Sequence, residues 1–515
     1  MLRSIICVEL SKVSAGEDKF SVEIPENPEH GDYATNVALI LARKMGKNPR
    51  EFAEELALQL RSGRLSGFCE KIEVAGPGFL NFSIKKEFLQ KSLPEALKKD
   101  FGRIGADKKK KINIEFVSAN PTGPLTMANG RGGFYGDALA NILETAGHKV
   151  TREYYVNDAG NQIKLLEESI RAAEGKIPKR EEHYKGEYIN KLKGKSANLA
   201  IAEILKWIRA SLKRAGIKFD VWFFEEKELR KKGELQKTLS LLEKKGLVER
   251  RDGAIWLGDA VLVKSGGEPT YFLSDLAYHY DKFFKRKFEL AVNIWGADHH
   301  GYVARVEKGI EALGIEPSRL RVIVMQLVRL LSKGKEARMS KRAGEFVTLD
   351  DLLKLVGVDA ARWFFLEKSP DTHMDFDLDL AKERSKKNPV YYAQYAHARA
   401  SSILKKARKK LRNYETEKLN EKEELALIKK ILKLPEVVED IAGDYQVHRL
   451  TKYTYELAKS FTDFYENCRV IYPERSRGVE EDKKLTIARL TLVLAAQKTL
   501  EKILKLMGIA APKKM

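Results

Sequence analysis

The 515-residue sequence has only three cysteines, Cys7, Cys69 and Cys468, far apart and without a CxxC pair. That spacing argues against a disulfide framework or a zinc site, and free thiols suit a reducing compartment. No run approaches the roughly 20 apolar residues needed to span a bilayer. The first twenty residues carry Ser, Glu, Asp and Lys too early for a secretory leader, so a cytoplasmic protein is expected. No Walker A pattern occurs, which excludes a P-loop nucleotide site. Internal repeats and long low-complexity segments are also absent.

What is present is apolar content and positive charge. Hydrophobic residues make up 43% of the chain, enough for sizeable cores, and the length calls for more than one domain. The formal net charge is +21 and the pI about 9.4. Such a balance favours a polyanionic partner through long-range attraction and counterion release. A densely charged surface of a heat-adapted protein is the alternative, since 32% of residues are charged.

Three regions are expected. Residues 1–106 read as a small α+β unit, with helical spacing over 33–60, a strand at 71–74, a Gly76-Pro77-Gly78 turn and an alternating strand at 79–84. Residues 107–375 open with strand, loop, helix and strand, the start of a doubly wound Rossmann-type parallel sheet, with a charged helical insertion near 160–260. Residues 376–515 read as a helical bundle, with Leu485, Ala488, Leu492, Ala495, Ala496, Ile503 and Met507 on an apolar face ending at Gly508.

The stretch EFVSANPTGPLTMANGRGGFYGD (residues 115–137) carries the most chemistry. Its loop lies at the carboxyl end of the first strand of the βαβ unit and opens onto a helix N-terminus, where free N–H groups attract phosphates. Pro121, Thr122, Gly123 and Pro124 fix a tight turn, and Gly130, Gly132 and Gly133 are expected to let backbone approach a nucleotide. Further on, GKEARMSKRAG (334–344) is a basic, glycine-flanked loop suited to clamping phosphates as pyrophosphate leaves. Asp298, His299 and His300 invite a metal reading, but adjacent histidines point apart and no further ligand pattern is near, so no metal is expected.

Together these motifs resemble arginyl-tRNA synthetases, class I aminoacyl-tRNA synthetases. SANPTGPL followed by GRGGFYGD is similar to the family's signature region, with its HIGH tetrapeptide falling at Thr126-Met127-Ala128-Asn129. RMSKRAGEFVTLDDLL resembles the KMSK loop and its continuation; YVNDAGNQ (155–162), FDVW (219–222), WGADHHGY (295–302), QYAHAR (394–399) and the terminal APKKM also resemble family segments. The resemblance spans nearly the whole chain in order.

The resemblance implies an N-terminal domain touching the corner of tRNA, a class I Rossmann catalytic domain and a helical anticodon-binding domain. It implies ATP-dependent ligation of L-arginine to tRNA(Arg), with Mg2+ entering as the ATP complex, and a monomer. In residue terms it points to Thr126, Asn129 and Lys341 for catalysis, and to Pro121, Gly123, Ala128, Gly130, Arg338, Met339, Ser340 and Lys341 for ATP. Glu115, Asn120, Tyr271, Asp275 and His299 are the expected arginine ligands, and Asn81, Tyr395 and Arg399 the expected tRNA contacts. A guanidinium needs carboxylates and other acceptors set for forked hydrogen bonds, which suits Tyr271 and Asp275, four residues apart. Without the resemblance, Asp275 reads as a helix cap or surface acid, and Asn81 as a strand-end residue.

The HIGH position departs from the family. Thr126 and Asn129 replace a histidine pair as neutral donors, and Ala128 stands where glycine lies near adenine. The KMSK-like loop begins with Arg338 rather than Lys. An active ligase with a variant ATP site is the favoured expectation; a catalytically weak tRNA-binding paralogue is the alternative.

Overall fold

A computed structural model describes residues 2–14, 20–25, 27–105, 108–336, 347–407, 415–472 and 479–515. At its centre, Lys111–Glu115 forms a strand with Ile112 and Ile114 buried on one face and Asn113 and Glu115 buried on the other. Burial of both faces is the condition of a parallel sheet covered by helices. This strand pairs in parallel with Lys149–Val156 on one side and Leu290–Gly296 on the other. Val221–Phe224 and Leu320–Met325 complete the sheet as its edges, both parallel. Numbered in chain order, the five strands lie 5-4-1-2-3, so the topology switches between Lys111–Glu115 and Leu290–Gly296. The carboxyl ends of those two strands are where open α/β sheets hold ligands.

The region near 160–260 is not helical insertion alone. It contains the edge strand Val221–Phe224 and an antiparallel sheet of Glu249–Arg251, Ala254–Leu257 and Ala260–Val263. The edge strand is a four-residue apolar run between charged helices, too short for periodicity to declare. Likewise the helical spacing over 33–60 resolves into a strand, Tyr33–Thr35, and two helices, Val37–Met45 and Pro49–Ser62. Asn48 caps the second of these helices and Pro49 opens it, which is why the pattern breaks there.

Helix Met127–Thr145 packs on the sheet beside the switch point. Its glycines serve that packing. A Cβ at Gly136 would sit 2.4 Å from the Phe116 ring, one at Gly133 2.9 Å from Ile217, and one at Gly130 2.7 Å from Leu349. The close approach expected toward a nucleotide at Gly130 and Gly133 is therefore made by the protein's own side chains.

The C-terminal bundle comprises Pro389–Ala407, Lys422–Leu432, Leu434–Asp444, His448–Asn467 and Val479–Leu506. Of the apolar face read from sequence, Ala488, Leu492, Ala495, Ala496, Ile503 and Met507 are fully buried. The bundle is tied to helix Met127–Thr145 through Arg362, which donates to Asp137 Oδ2 at 2.8 Å and to the Met507 carbonyl at 2.9 Å. Gly508, at φ +70°, leaves room there; a Cβ would collide with that guanidinium. Among the described residues no helix is long and apolar enough to cross a membrane.

Candidate active site

The loop after the central strand is held in a strained form. Val117 and Ser118 adopt φ of 67° and 38°, in the left-handed region that branched and bulky side chains avoid. Each such residue costs about 1–3 kcal/mol, so the surroundings must impose it. They do: Ser118 Oγ accepts the Tyr155 N–H at 3.1 Å, and Tyr154 Oη donates to the Ala119 carbonyl at 2.8 Å. The loop is thus stapled to the neighbouring strand. Pro121 is buried, Gly123 lies against the Tyr188 hydroxyl, and Asn120 is exposed.

At the variant tetrapeptide, Thr126 caps helix Met127–Thr145. Its side chain accepts the Asn129 N–H at 3.3 Å, while Asn129 Oδ1 accepts the Thr126 N–H and the Thr126 hydroxyl, each at 2.8 Å. This reciprocal cap satisfies helix-end donors, and it corrects the expectation of two available donors. The Thr126 hydroxyl proton is already engaged. Asn129 is oriented by the bonds to its Oδ1, so its Nδ2 is the donor left for a ligand. Ala128 is exposed beside it. The same segment pairs with 347–349: Met127 N–H donates to the Val347 carbonyl and Leu349 N–H to the Leu125 carbonyl, both at 2.9 Å. The expected phosphate-clamping residues Arg338, Met339, Ser340 and Lys341 lie outside the described residues. The described chain resumes at Val347, hydrogen-bonded to the helix entry.

On the opposite face of the sheet from helix Met127–Thr145, helix Tyr271–Tyr280 and the strand ends enclose four acids. Glu115 Oε2 accepts from Lys282 Nζ at 2.9 Å. Glu153, its register neighbour on the next strand, pairs with Arg286. Glu225 pairs with Arg230 at 2.7 Å and accepts from the Tyr155 hydroxyl at 2.9 Å and the Ser274 hydroxyl at 3.0 Å. Asp275 alone has no basic partner within salt-bridge distance among the described residues; its contact is the Tyr302 hydroxyl, donating to Oδ2 at 2.6 Å. Burial, reinforced by the charges of Glu115 and Glu225 against the Tyr302 bond, pushes its carboxyl up to about 7. Tyr271, one helical turn earlier, is 53% exposed, with its hydroxyl toward Gly160 of the YVNDAGNQ segment.

A buried acid without a cation among the described residues carries an uncompensated desolvation cost. It also sets a pH dependence. Below about pH 7 Asp275 holds a proton that a cationic ligand must displace; above it the carboxylate is ready. The Michaelis constant for a guanidinium substrate is expected to rise as pH falls through about 7, approaching tenfold per unit by pH 6. Steady-state kinetics between pH 5.5 and 8.5 would show it; a constant value across that range would contradict the assignment.

The remaining predicted residues fall in three places. His299 lies exposed on the turn Ala297–Tyr302, at the carboxyl end of Leu290–Gly296 and 3.4 Å from Asp298. Tyr395 and Arg399 come together in the bundle with Tyr465: the guanidinium lies 5.2 and 5.0 Å from the two ring centroids. Asn81, an expected tRNA contact, is 8% exposed within strand Phe79–Ile84. Phe79, two residues earlier in the strand and 39% exposed, is the side chain that reaches the surface. Glu225, Tyr302 and Lys282 escaped the sequence reading as site residues. Only Lys282 left a clear trace, seven residues after Asp275 and hence on the same helical face.

Parallel sheet, switch-point loop, capped helix and acid pocket match one class. Residues 92–183 and 173–403 fit the class I (R) tRNA synthetase catalytic domain, so the central unit is that of a class I aminoacyl-tRNA synthetase, whose catalysis is ATP-dependent. Residues 1–84 fit the arginyl tRNA synthetase N-terminal domain and residues 393–515 the DALR anticodon binding domain. The arginine–tRNA ligase of Carboxydothermus hydrogenoformans is 43% identical, covering 96% of this chain and 94% of that protein. The arginine–tRNA ligase of Moorella thermoacetica is 42% identical with the same coverage. The Thermus thermophilus arginyl-tRNA synthetase structure superposes with a TM-score of 0.80 at 23% identity over 100% of both chains, a likeness of fold. The chain belongs to the arginyl-tRNA synthetase family.

Proposed function

We propose that this protein activates L-arginine with ATP and transfers it to the 3′ end of tRNA(Arg). The observation that carries the reading is Asp275, the one acid of four without a cation among the described residues, beside Tyr271 and Tyr302 at the class I switch point. The guanidinium of arginine supplies the missing charge, and Glu115 and Asn120 take the α-amino and carboxylate ends near the loop, with His299 facing them across the switch point. ATP, carrying Mg2+ on its phosphates, lies over Pro121, Gly123, Ala128 and the N-terminus of helix Met127–Thr145. Asn129 Nδ2 and Lys341, with Arg338, Met339 and Ser340, stabilise charge on the phosphates. Gly130 takes part by letting the helix seat on Leu349.

In the first step the arginine carboxylate attacks the α-phosphate, forming arginyl-adenylate and releasing pyrophosphate. In the second, the terminal ribose 2′-hydroxyl attacks the activated carbonyl and AMP leaves. No protein nucleophile is required; positioning and preorganised donors lower the barrier. A cavity of about 750 Å3 beside Tyr271 carries Lys164, Arg230, Lys264 and Arg305 against Asp259 and Glu268, and suits the tRNA end. The three-part division at about 106 and 375 assigns tRNA-corner contact to the first unit and anticodon contact to the last. Phe79 and the Tyr395–Arg399–Tyr465 stack are their proposed RNA contacts, since aromatic and guanidinium faces stack on unpaired bases. The protein is taken to act in the cytoplasm as a monomer. Arginine-dependent ATP–pyrophosphate exchange, run with and without tRNA, tests the first step. Exchange under either condition supports it; tRNA binding without exchange or charging leaves the binding-paralogue reading.

A further inference from the structure

Arginine presents two cationic ends, and the pocket offers Glu115 and Asp275 on one face. Something must decide which acid takes which end. Glu115 and Glu153 are register partners on adjacent strands and both buried, so each needs a cation beside it. Arg286 serves Glu153, and Lys282 serves Glu115.

Lys282 is fully buried and its ammonium is committed in three directions. It donates to Glu115 Oε2 and to Asn293 Oδ1, each at 2.9 Å, and lies 4.1 Å from the Tyr278 ring centroid. Asn293 is fixed in turn, its Nδ2 donating to His279 Nε2 at 2.9 Å while His279 Nδ1–H donates to the Asp275 carbonyl at 2.7 Å. Burial and the nearby Lys282 hold His279 neutral, its imidazole pushed down to about 3, so the donor order along this chain is set. The relay joins the two acids through the helix that carries Asp275. Glu115 Oε1 receives no hydrogen bond from the described residues.

Resting on the arginine reading above, we propose that Lys282 is a positioning residue that fixes the direction of the substrate. It occupies one carboxylate oxygen of Glu115, so that the other meets the point-like α-ammonium. The uncompensated Asp275 is thereby reserved for the guanidinium. A forked guanidinium gains most from an acid free of competing cations, whereas an ammonium needs one acceptor oxygen.

Two arginine-like inhibitors of charging separate this role from general support. Agmatine keeps both cations but lacks the carboxylate; 5-guanidinopentanoate keeps guanidinium and carboxylate but lacks the ammonium. Lys282→Met is expected to raise the arginine KM and the agmatine Ki by ~10- to 100-fold, the scale of a charge-assisted hydrogen bond. The 5-guanidinopentanoate Ki and the ATP KM should stay at their wild-type values, and Lys282→Arg should recover part of the loss. If Lys282→Met charges too slowly to assay, the two ligands are titrated calorimetrically against both variants and the wild type. Equal weakening of both ligands, or an agmatine affinity that is unchanged or tighter, overturns the proposal. A wild-type protein that fails to charge arginine overturns the functional reading instead.

Discussion

Asp275→Asn is expected to lower kcat/KM for arginine by roughly 200- to 5,000-fold, the equivalent of about 3–5 kcal/mol for a buried cation left without its partner. The substitution keeps shape and a hydrogen-bonding group toward Tyr302 but removes the charge that the guanidinium requires. The ATP KM should not move, because Asp275 lies on a helix that packs on the sheet face opposite helix Met127–Thr145. Stability should not fall either. In the free protein burial already disfavours the ionised carboxyl, and its rise to about 7 costs stability progressively as pH climbs from the ordinary carboxylate range to about 7, in full above it. Loss of arginine turnover with an unchanged or higher melting temperature at pH 8 is the signature. A similar loss in ATP binding, or a large drop in stability, would place Asp275 in the scaffold instead.

The second large effect concerns the tetrapeptide at the helix entry. Asn129→Ala should reduce the rate of arginine activation by roughly 100- to 1,000-fold, because it removes the side-chain donor left facing the phosphates; one such donor is worth about 2.7–4 kcal/mol of transition-state stabilisation. Thr126→Ala should cost far less in rate. Its hydroxyl is spent on Asn129 Oδ1, and its loss costs chiefly helix-cap stability, about 1 kcal/mol. Pyrophosphate-exchange rates and melting temperatures of the two variants separate these contributions. An equal or larger rate loss for Thr126→Ala would show that the hydroxyl turns toward ATP when the nucleotide binds.

Much of this architecture is legible in the sequence because its signals are local. The strand Lys149–Val156, the strand Phe79–Ile84 and the apolar face of the last helix all follow from spacing over a few residues. The switch-point loop announces itself through its prolines and glycines. What stayed hidden depends on partners far away in the chain. Lys282 meets Glu115 across 167 positions, and no periodicity reports that pairing. Asn81, which reads as a strand-end residue in sequence, lies in a strand with neighbours on both sides of a four-stranded sheet, a placement set by distant pairings. The glycines of GRGGFYG signalled close approach correctly, but the approaching groups are Phe116, Ile217 and Leu349. The Thr126–Asn129 cap, by contrast, is a three-residue spacing that was open to recognition as a capping box.

The pocket built around Asp275 is proposed to select arginine for transfer to tRNA. The most direct test of this selection is charging of total tRNA by the purified protein, with each labelled amino acid offered in turn with ATP. Arginine alone is expected to become attached. Charging with a different amino acid, or tight tRNA binding with no charging even after Thr126→His, Ala128→Gly and Asn129→His are introduced together, would contradict it.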